Sequence, residues 1–109
     1  MEKKNSIFKI ELLVLKTLNE KDCYGYEICT LIKQETKGLF DIKLGVLYPI
    51  LYKLENEHLI SSFEKTFNNR VRIYYHIEKS GVLYYISLVN DFENNIRVIN
   101  EFLRRKLNE

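Results

Sequence analysis

The side chains of this sequence that could do chemistry are cations and neutral hydrogen-bond donors, gathered in two short stretches. They are, in chain order, Lys43, Tyr48, Tyr52, Lys53, Lys65, Asn68, Asn69, Arg70 and Arg72. Such side chains donate hydrogen bonds to phosphate oxygens, and the lysines and arginines also neutralise phosphate charge. The two stretches therefore predict contact with a nucleic-acid backbone rather than a reaction.

The sequence has no residue pattern for catalysis or for a metal. His58 and His76 have no nucleophile or metal-ligand spacing around them, and there is no glycine-rich phosphate loop. Cys23 and Cys29 form no C-x-x-C pair, and six positions of one helix would hold them ~9 Å apart, too far for a disulfide. We expect two reduced thiols, the alternative being a redox sensor that bridges two subunits. We expect no enzyme, no metal and no cofactor.

Length and composition favour one folded domain. The chain has 109 residues, of which 46% are hydrophobic and 29% charged. Its formal net charge is only +2, so a nucleic-acid surface would need its cations clustered rather than numerous. Lys9, Glu11 and Lys16 interrupt the first apolar stretch, and no run approaches the ~20 apolar residues of a membrane helix. We expect no signal peptide, no membrane association and a cytoplasmic location.

Two short helices are predicted first. Apolar residues at helical spacing place one at 7–19, with Ser6 as its cap, and the next at 24–37. Gly38 stands where a helix often ends in a residue with positive φ.

A third helix is predicted at 45–58, apolar on the side that faces the core. Its other side carries Gly45, Pro49, Tyr52 and Lys53, with Tyr48 at the edge. A proline is tolerated near a helix start because the first four N–H groups have no helical acceptor. Pro49 therefore predicts that regular helix begins close to Val46.

A β-hairpin follows, with strands at 60–67 and 71–77. A two-residue turn would place Phe63 and Phe67 on the face of Arg72, whereas a three-residue turn would place them on the apolar face of the second strand. Because register normally follows the buried face, the pattern favours the three-residue turn Asn68-Asn69-Arg70.

The last predicted helix covers 79–107 and carries a stripe of apolar residues. The stripe consists of Tyr85, Val89, Phe92, Ile96, Ile99 and Leu103. Steps of four and three are typical of a helix that packs along another helix, and a helix ~40 Å long exceeds what so small a domain can cover. The stripe predicts a homodimer, the alternative being a helix that folds back on its own domain.

The order of these elements is that of a winged helix-turn-helix protein, mainly α with a two-stranded β-hairpin. In such proteins the third helix enters the major groove and the hairpin forms a wing. We assign residues 1–78 to this DNA-binding part and 79–109 to a dimerisation helix, the two forming one structural unit.

Four segments carry a family resemblance. Residues 25–28 read GYEI, residues 44–55 resemble the pattern G-x-LYP-x-L-x-x-LE, and residues 58–60 stand where GLI is usual. Residues 72–81 resemble R-x-YY-x-I-T-x-x-G. In this order and over roughly positions 10 to 85, they resemble the PadR family of transcriptional regulators, in its short form with a single C-terminal helix.

The resemblance implies a homodimeric regulator, expected to be a repressor, that binds an inverted repeat of double-stranded operator DNA. It places Tyr48 and Pro49 on the recognition helix and Arg70 and Arg72 in the wing. Tyr26 is expected near the phosphate backbone or buried against the third helix. Some short members resemble sensors that stack aromatic molecules on Trp between subunits. This chain has no Trp, and Phe92 and Ile96 are the nearest candidates for a small aromatic effector, or else ordinary dimer core.

The chain also departs from the family pattern. Leu44 and Val46 flank the recognition-helix glycine where Ser or Thr is usual, and Glu78 replaces the usual Thr before the last helix. Ser80 could supply that cap in a different register. These departures and the low net charge keep a second hypothesis open, a protein-interaction module of winged-helix fold that does not bind DNA.

Overall fold

The computed structural model describes residues 7–107, and its helices and strands follow the predicted order. The elements are α1 (Ile10–Glu20), β1 (Cys23–Tyr24), α2 (Gly25–Glu35), α3 (Leu44–Asn56), β2 (Ile60–Phe67), β3 (Arg70–Ile77) and α4 (Lys79–Arg104). The predicted fold class, mainly α with a winged hairpin, is confirmed. The sheet gains a third strand, because β1 pairs with the free side of β3 in the order β1-β3-β2.

The start of α1 differs from the prediction. The helix begins at Ile10, with Lys9 as an extended N-cap residue, and not at Ile7; Ser6, the predicted cap, lies outside the described residues. Phe8 precedes the helix and packs edge-on against Phe40 and Phe92, at centroid distances of 5.5 and 5.6 Å. A tertiary aromatic contact therefore takes the place of the predicted first turn.

The hydrophobic core lies between the three short helices and the inner face of the sheet. Its fully buried side chains come from every layer, and the largest of them are Leu15, Leu18, Ile28, Leu47, Leu51, Leu54 and Ile60. Tyr75 of β3 and Cys23 of β1 close it from the sheet side. Because Cys23 lies in a strand, the prediction that both cysteines belong to one helix is wrong.

Both helices of the helix-turn-helix end in the same hydrogen-bonded turn, which needs a left-handed residue. After α2, Lys37 has φ +55° and the N–H of Gly38 donates to the carbonyl of Lys33. After α3, His58 has φ +62° and the N–H of Leu59 donates to the carbonyl of Leu54. These are the bonds of a Schellman motif, in which glycine is the usual left-handed residue. The pattern GLI has glycine at the position of His58, and glycine would adopt this φ without steric cost.

The hairpin turn has two residues and not three. Phe67 pairs with Arg70, and Asn68 and Asn69 have φ of +51° and +62°. Two consecutive residues with positive φ form a type I′ turn, whose twist matches that of the strands. The three-residue prediction was wrong because the outer part of the hairpin projects beyond the core, so no buried face selects its register.

Helix α4 begins at Lys79 and lies close to the residue before β2 at Gly81. A Cβ at Gly81 would overlap with the carbonyl oxygen of Leu59, so only glycine fits there. Ser80 donates its hydroxyl to the carbonyl of His58 at 2.7 Å and does not cap α4, and Glu78 makes no side-chain cap either. The helix extends the molecule to 64 × 29 × 27 Å. Within the described residues, no helix is long and apolar enough to cross a membrane.

Candidate nucleic-acid interface

The outward side of α3 carries the residues expected there from the sequence. Gly45, Tyr48, Pro49 and Tyr52 are all exposed, and Tyr52 is the most open of the α3 tyrosines at 70%. The helix begins at Leu44, one residue before the predicted range of 45–58 and two before Val46, so Pro49 is its sixth residue. The carbonyl of Gly45 consequently lacks its helical donor, and because this side is exposed, water can supply one.

Tyr48 also marks the contact between α2 and α3. Its hydroxyl lies over the start of α2, where a Cβ at Gly25 would come within 2.7 Å of it. Gly25 therefore lets the two helices approach, and Tyr48 stays about half exposed at 47%. Gly25 is the glycine of the GYEI segment, and its contact with Tyr48 explains why a residue without a side chain is needed there.

Lys43 and Tyr26 lie on either side of a cleft between the α2 and α3 segments. Lys43 is the exposed N-cap residue of α3, and its ammonium contacts the carboxylate of Asp41 at 3.1 Å. Hydrogen bonding to Lys43, with help from Lys33, lowers the pKa of Asp41. Tyr26 is 63% exposed, so the alternative that it is buried against the third helix is wrong. Tyr26 is therefore open to a ligand that approaches the N-terminus of α3, whereas Lys43 would exchange its contact with Asp41 for such a ligand.

Lys53 is engaged in an ion pair within the chain, although its side chain is half exposed. Its ammonium donates to the buried Glu11 of α1 at 2.7 Å, and the other carboxylate oxygen of Glu11 accepts from the Tyr84 hydroxyl of α4 at 2.8 Å. Burial by itself would raise the pKa of Glu11, but the two hydrogen bonds and the charge of Lys53 outweigh it, so the pKa is lowered. Glu11 thus joins α3 to α4. Sequence analysis did not single it out, because a lone glutamate in an apolar helix gives no sign of its partners.

The wing carries its cations on one face. Cross-strand partners share a face of the sheet. We call the face turned away from the core the outer face. It carries Tyr24, Phe63, Lys65, Phe67, Arg70, Arg72 and Tyr74. Lys65 lies 5.0 Å from the Tyr74 ring centroid, and Arg72 lies 4.4 Å from that of Tyr24. Asn68 and Asn69 form the exposed tip. The predicted wing residues therefore do lie together, interleaved with aromatic rings.

The predicted dimer stripe divides into two halves along α4. Tyr85, Val89, Phe92 and Ile96 are half-buried. Ile99 and Leu103 are exposed at 37% and 59%, and Phe102 beside them is exposed at 64%. The first half thus covers the chain's own domain, and the second half is apolar surface that the single chain leaves open.

The remaining chemistry-bearing groups offer no reactive site. Burial raises the pKa of the Cys23 thiol to about 12 and also raises the pKa of Cys29, so neither forms a ready thiolate nucleophile. Among residues 7–107 no group of three metal-ligating side chains comes together.

Helices α2 and α3 form a pair in which α3 faces outward, and the cationic β2–β3 hairpin follows them as a wing. This arrangement defines a winged helix-turn-helix protein. The sequence model described as the transcriptional regulator PadR-like family matches residues 14–85. The chain therefore belongs to the PadR-like family of transcriptional regulators.

Solved structures agree with this assignment. A transcriptional regulator from Clostridium thermocellum is 34% identical with a TM-score of 0.80, over 85% of this chain and 91% of that protein. A PadR family transcription regulator from Clostridium difficile is 29% identical with a TM-score of 0.75, over 86% of this chain and 97% of that protein. Bacillus subtilis PadR, solved in complex with operator DNA, is similar in fold, at 22% identity and a TM-score of 0.68 over 73% of this chain and 45% of that protein.

Proposed function

We propose that this regulator is a repressor that binds an inverted-repeat DNA operator as a homodimer, in the cytoplasm. The observation that carries the proposal is the pairing of an outward α3 surface free of carboxylates with a wing whose cations share one face. A major groove ~12 Å wide admits one helix, and the groove beside it is where a wing reaches the backbone. The same fold is known in complex with operator DNA in the Bacillus subtilis protein.

The DNA contacts divide by position. On α3, Gly45 and Pro49 allow close approach of the backbone, and Tyr52 can reach base edges or phosphates. Lys43 and the free N–H groups at the start of α3 suit a phosphate, with Tyr26 and Tyr48 flanking it. In the wing, Arg70, Lys65 and the two tip asparagines suit backbone phosphates. Lys53 contributes through its ion pair with Glu11, which fixes α3 from behind.

A homodimer through the second half of α4 fits the exposed apolar residues there. Ile99, Phe102 and Leu103 lie within five positions and offer apolar side chains that a second α4 can cover. Two α3 helices related by a two-fold axis would read two half-sites about one DNA turn apart. This spacing is what an inverted repeat provides.

Fluorescence anisotropy on DNA from the gene's own upstream region tests the proposal, with a scrambled duplex as control and a salt series on each. We expect tight binding to the first duplex only, with a steep salt dependence. Arg70→Ala should weaken binding to both duplexes and reduce the slope of log K against log salt by about 1.8, because each homodimer loses two phosphate contacts. Weak and equal binding by a folded dimer would refute the proposal.

That refuting outcome favours the second candidate function, a protein-interaction module. Its specific support is the apolar surface at the start of α3, where Leu39 is 77%, Val46 50% and Leu44 37% exposed. In this reading those side chains anchor a protein partner instead of DNA. Val46→Lys separates the two functions, because it should abolish an apolar contact and leave or strengthen DNA affinity.

An aromatic effector would bind at the half-buried part of α4, beside the proposed dimer contact. Phe92 packs edge-on against Phe8 of the same chain, and Ile96 lies one turn further along, half-buried. This site would be supported by a flat hydrophobic dye that raises the melting temperature of the protein and whose fluorescence is quenched on binding. Ile96→Ala should weaken binding of the dye. An unchanged affinity for the dye would assign Phe92 and Ile96 to the dimer core alone.

A further inference from the structure

Arg72 lies between two aromatic rings on the outer face of the wing. Its guanidinium carbon is 4.4 Å from the ring centroid of Tyr24 and 5.6 Å from that of Phe67. Tyr24 pairs with Tyr74 and Phe67 pairs with Arg70, so both rings are diagonal neighbours of Arg72 on one face. Tyr24 immediately precedes α2, whereas Phe67 ends β2 at the wing tip. Arg72 therefore connects the wing to the segment that enters the helix-turn-helix.

A guanidinium that lies over an aromatic ring can keep its hydrogen-bonding edge available. An aromatic ring covers the flat surface of a guanidinium, while its five N–H groups point outward in the plane. Among the ion pairs of residues 7–107, none includes Arg72, so no carboxylate lies within 4.0 Å of it. The N–H edge thus has no anionic partner in the described part of the chain.

A second cation lies directly across from Arg72. Lys65 is its cross-strand partner, and it likewise forms none of the ion pairs of the described residues. Like charges directly opposite each other destabilise a strand pair. An anion between Lys65 and Arg72 would turn this repulsion into a two-sided attraction, which points to an anionic ligand at this place.

We propose that Lys65 and Arg72 hold one DNA phosphate, and that Tyr24 and Phe67 are the positioning residues that orient Arg72 for it. The proposal rests on the DNA-binding function proposed above and names the anion site within the wing. The rings hold the guanidinium in one orientation before DNA arrives, so less side-chain freedom is lost on binding. Arg70 at the tip has no such rings within contact in the described residues, and it acts as a simple charge.

The test separates charge from position by measuring DNA affinity across salt concentrations. Arg72→Ala should lower both the affinity and the salt slope, the slope by about 1.8 because each homodimer loses two contacts. Phe67→Leu and Tyr24→Leu should lower the affinity by about threefold to tenfold and leave the slope unchanged, because the charge remains. Arg72→Lys should lose affinity in the same way, whereas the matched control Arg97→Lys, at an exposed arginine of α4, should not. Combined with Arg72→Ala, Phe67→Leu should cause no further loss.

The possible failures are distinguishable. If the wild-type protein binds no duplex, the proposed function fails. If the wild type binds DNA but Arg72→Lys and Phe67→Leu bind equally well, the positioning role is overturned and the function stands. Nuclear magnetic resonance relaxation of the Arg72 Nε–H group in DNA-free protein adds an independent readout. The group should be ordered in the wild type and mobile in Phe67→Leu, and equal mobility in both would overturn the proposal. Phe67 is half exposed at the wing tip, so its replacement leaves the core intact.

Discussion

Replacement of Glu11 by glutamine tests how α3 and α4 are held together. The carboxylate of Glu11 is buried and accepts hydrogen bonds from Lys53 at 2.7 Å and from Tyr84 at 2.8 Å. Glutamine keeps the size of the side chain and one acceptor oxygen, but it removes the charge. The change therefore isolates the electrostatic part of the contact, without a cavity that would complicate the comparison.

The magnitude follows from the exposure of each partner. Lys53 is 51% exposed, so solvent screens its ion pair, which contributes about 0.2–1 kcal/mol. A hydrogen bond to a charged group contributes about 1.5–3 kcal/mol and a neutral one about 0.5–1.5 kcal/mol, so the bond from Tyr84 weakens by about 1 kcal/mol. Glu11→Gln should lower the free energy of unfolding by about 1–2 kcal/mol at pH 7, measured by urea denaturation at fixed protein concentration.

The pH dependence gives the sharper result. Because the pKa of Glu11 is lowered in the folded protein, its charge adds stability above the pKa of an unfolded glutamate, about 4.3. That contribution is lost as the pH falls through the lowered folded value. The stability gap between the wild type and Glu11→Gln should therefore close in acid.

Glu57→Gln is the matched control for Glu11→Gln. Glu57 also approaches Lys53, at 4.0 Å, but it is 47% exposed, so its replacement should change stability by less than about 0.5 kcal/mol. Equal effects of the two replacements, or a gap for Glu11→Gln that does not narrow as the pH is lowered below about 4.3, would refute the reasoning.

Three further outcomes are expected. His58→Gly should raise the free energy of unfolding by about 0.5–1 kcal/mol in urea, because glycine adopts φ +62° without steric cost, whereas His58→Ala should not. Gly81→Ala should lower the melting temperature by at least about 4 °C, because the alanine methyl group overlaps with the Leu59 carbonyl and such overpacking costs about 1–3 kcal/mol. An unchanged melting temperature would show that α4 can move away from Leu59. Leu103→Asp should halve the mass in sedimentation and leave the helix content unchanged, since this side chain is 59% exposed in the single chain; a persisting dimer would place the interface elsewhere.

Much of the fold was predictable because the apolar residues that become buried recur in the sequence at the period of a helix or a strand. The predicted 60–67 strand matches β2 to the residue, and the predicted end of α2 at Lys37 lies two residues beyond the observed end at Glu35. The exposed side of α3 was also correct, because Leu47, Leu51 and Leu54 mark the buried side and leave Tyr48 and Tyr52 outside. In a helix that packs against a core, the spacing of the apolar residues indicates which side is buried.

Other features had no such local signal. The pairing of β1 with β3 involves only Cys23 and Tyr24, too short a strand to show alternation. The partners of Glu11 lie 42 and 73 residues away, and the glutamate looks like an ordinary charge in an apolar helix. Lys53, which the sequence grouped with the DNA-facing residues, is drawn to the other side of α3 by that carboxylate.

The sequence by itself determined which side of each core-packed element is buried, and the segments that resemble the PadR family. The tertiary structure decided what the sequence leaves free: the register of the wing, the start of α1 and the partner of each charge. The physical reason is that burial constrains every second or every third to fourth residue of a packed element. A hairpin that projects into solvent has no such constraint, so its Asn68-Asn69 turn sets which residues lie opposite each other. That register brings Arg72 beside Lys65 and between two aromatic rings.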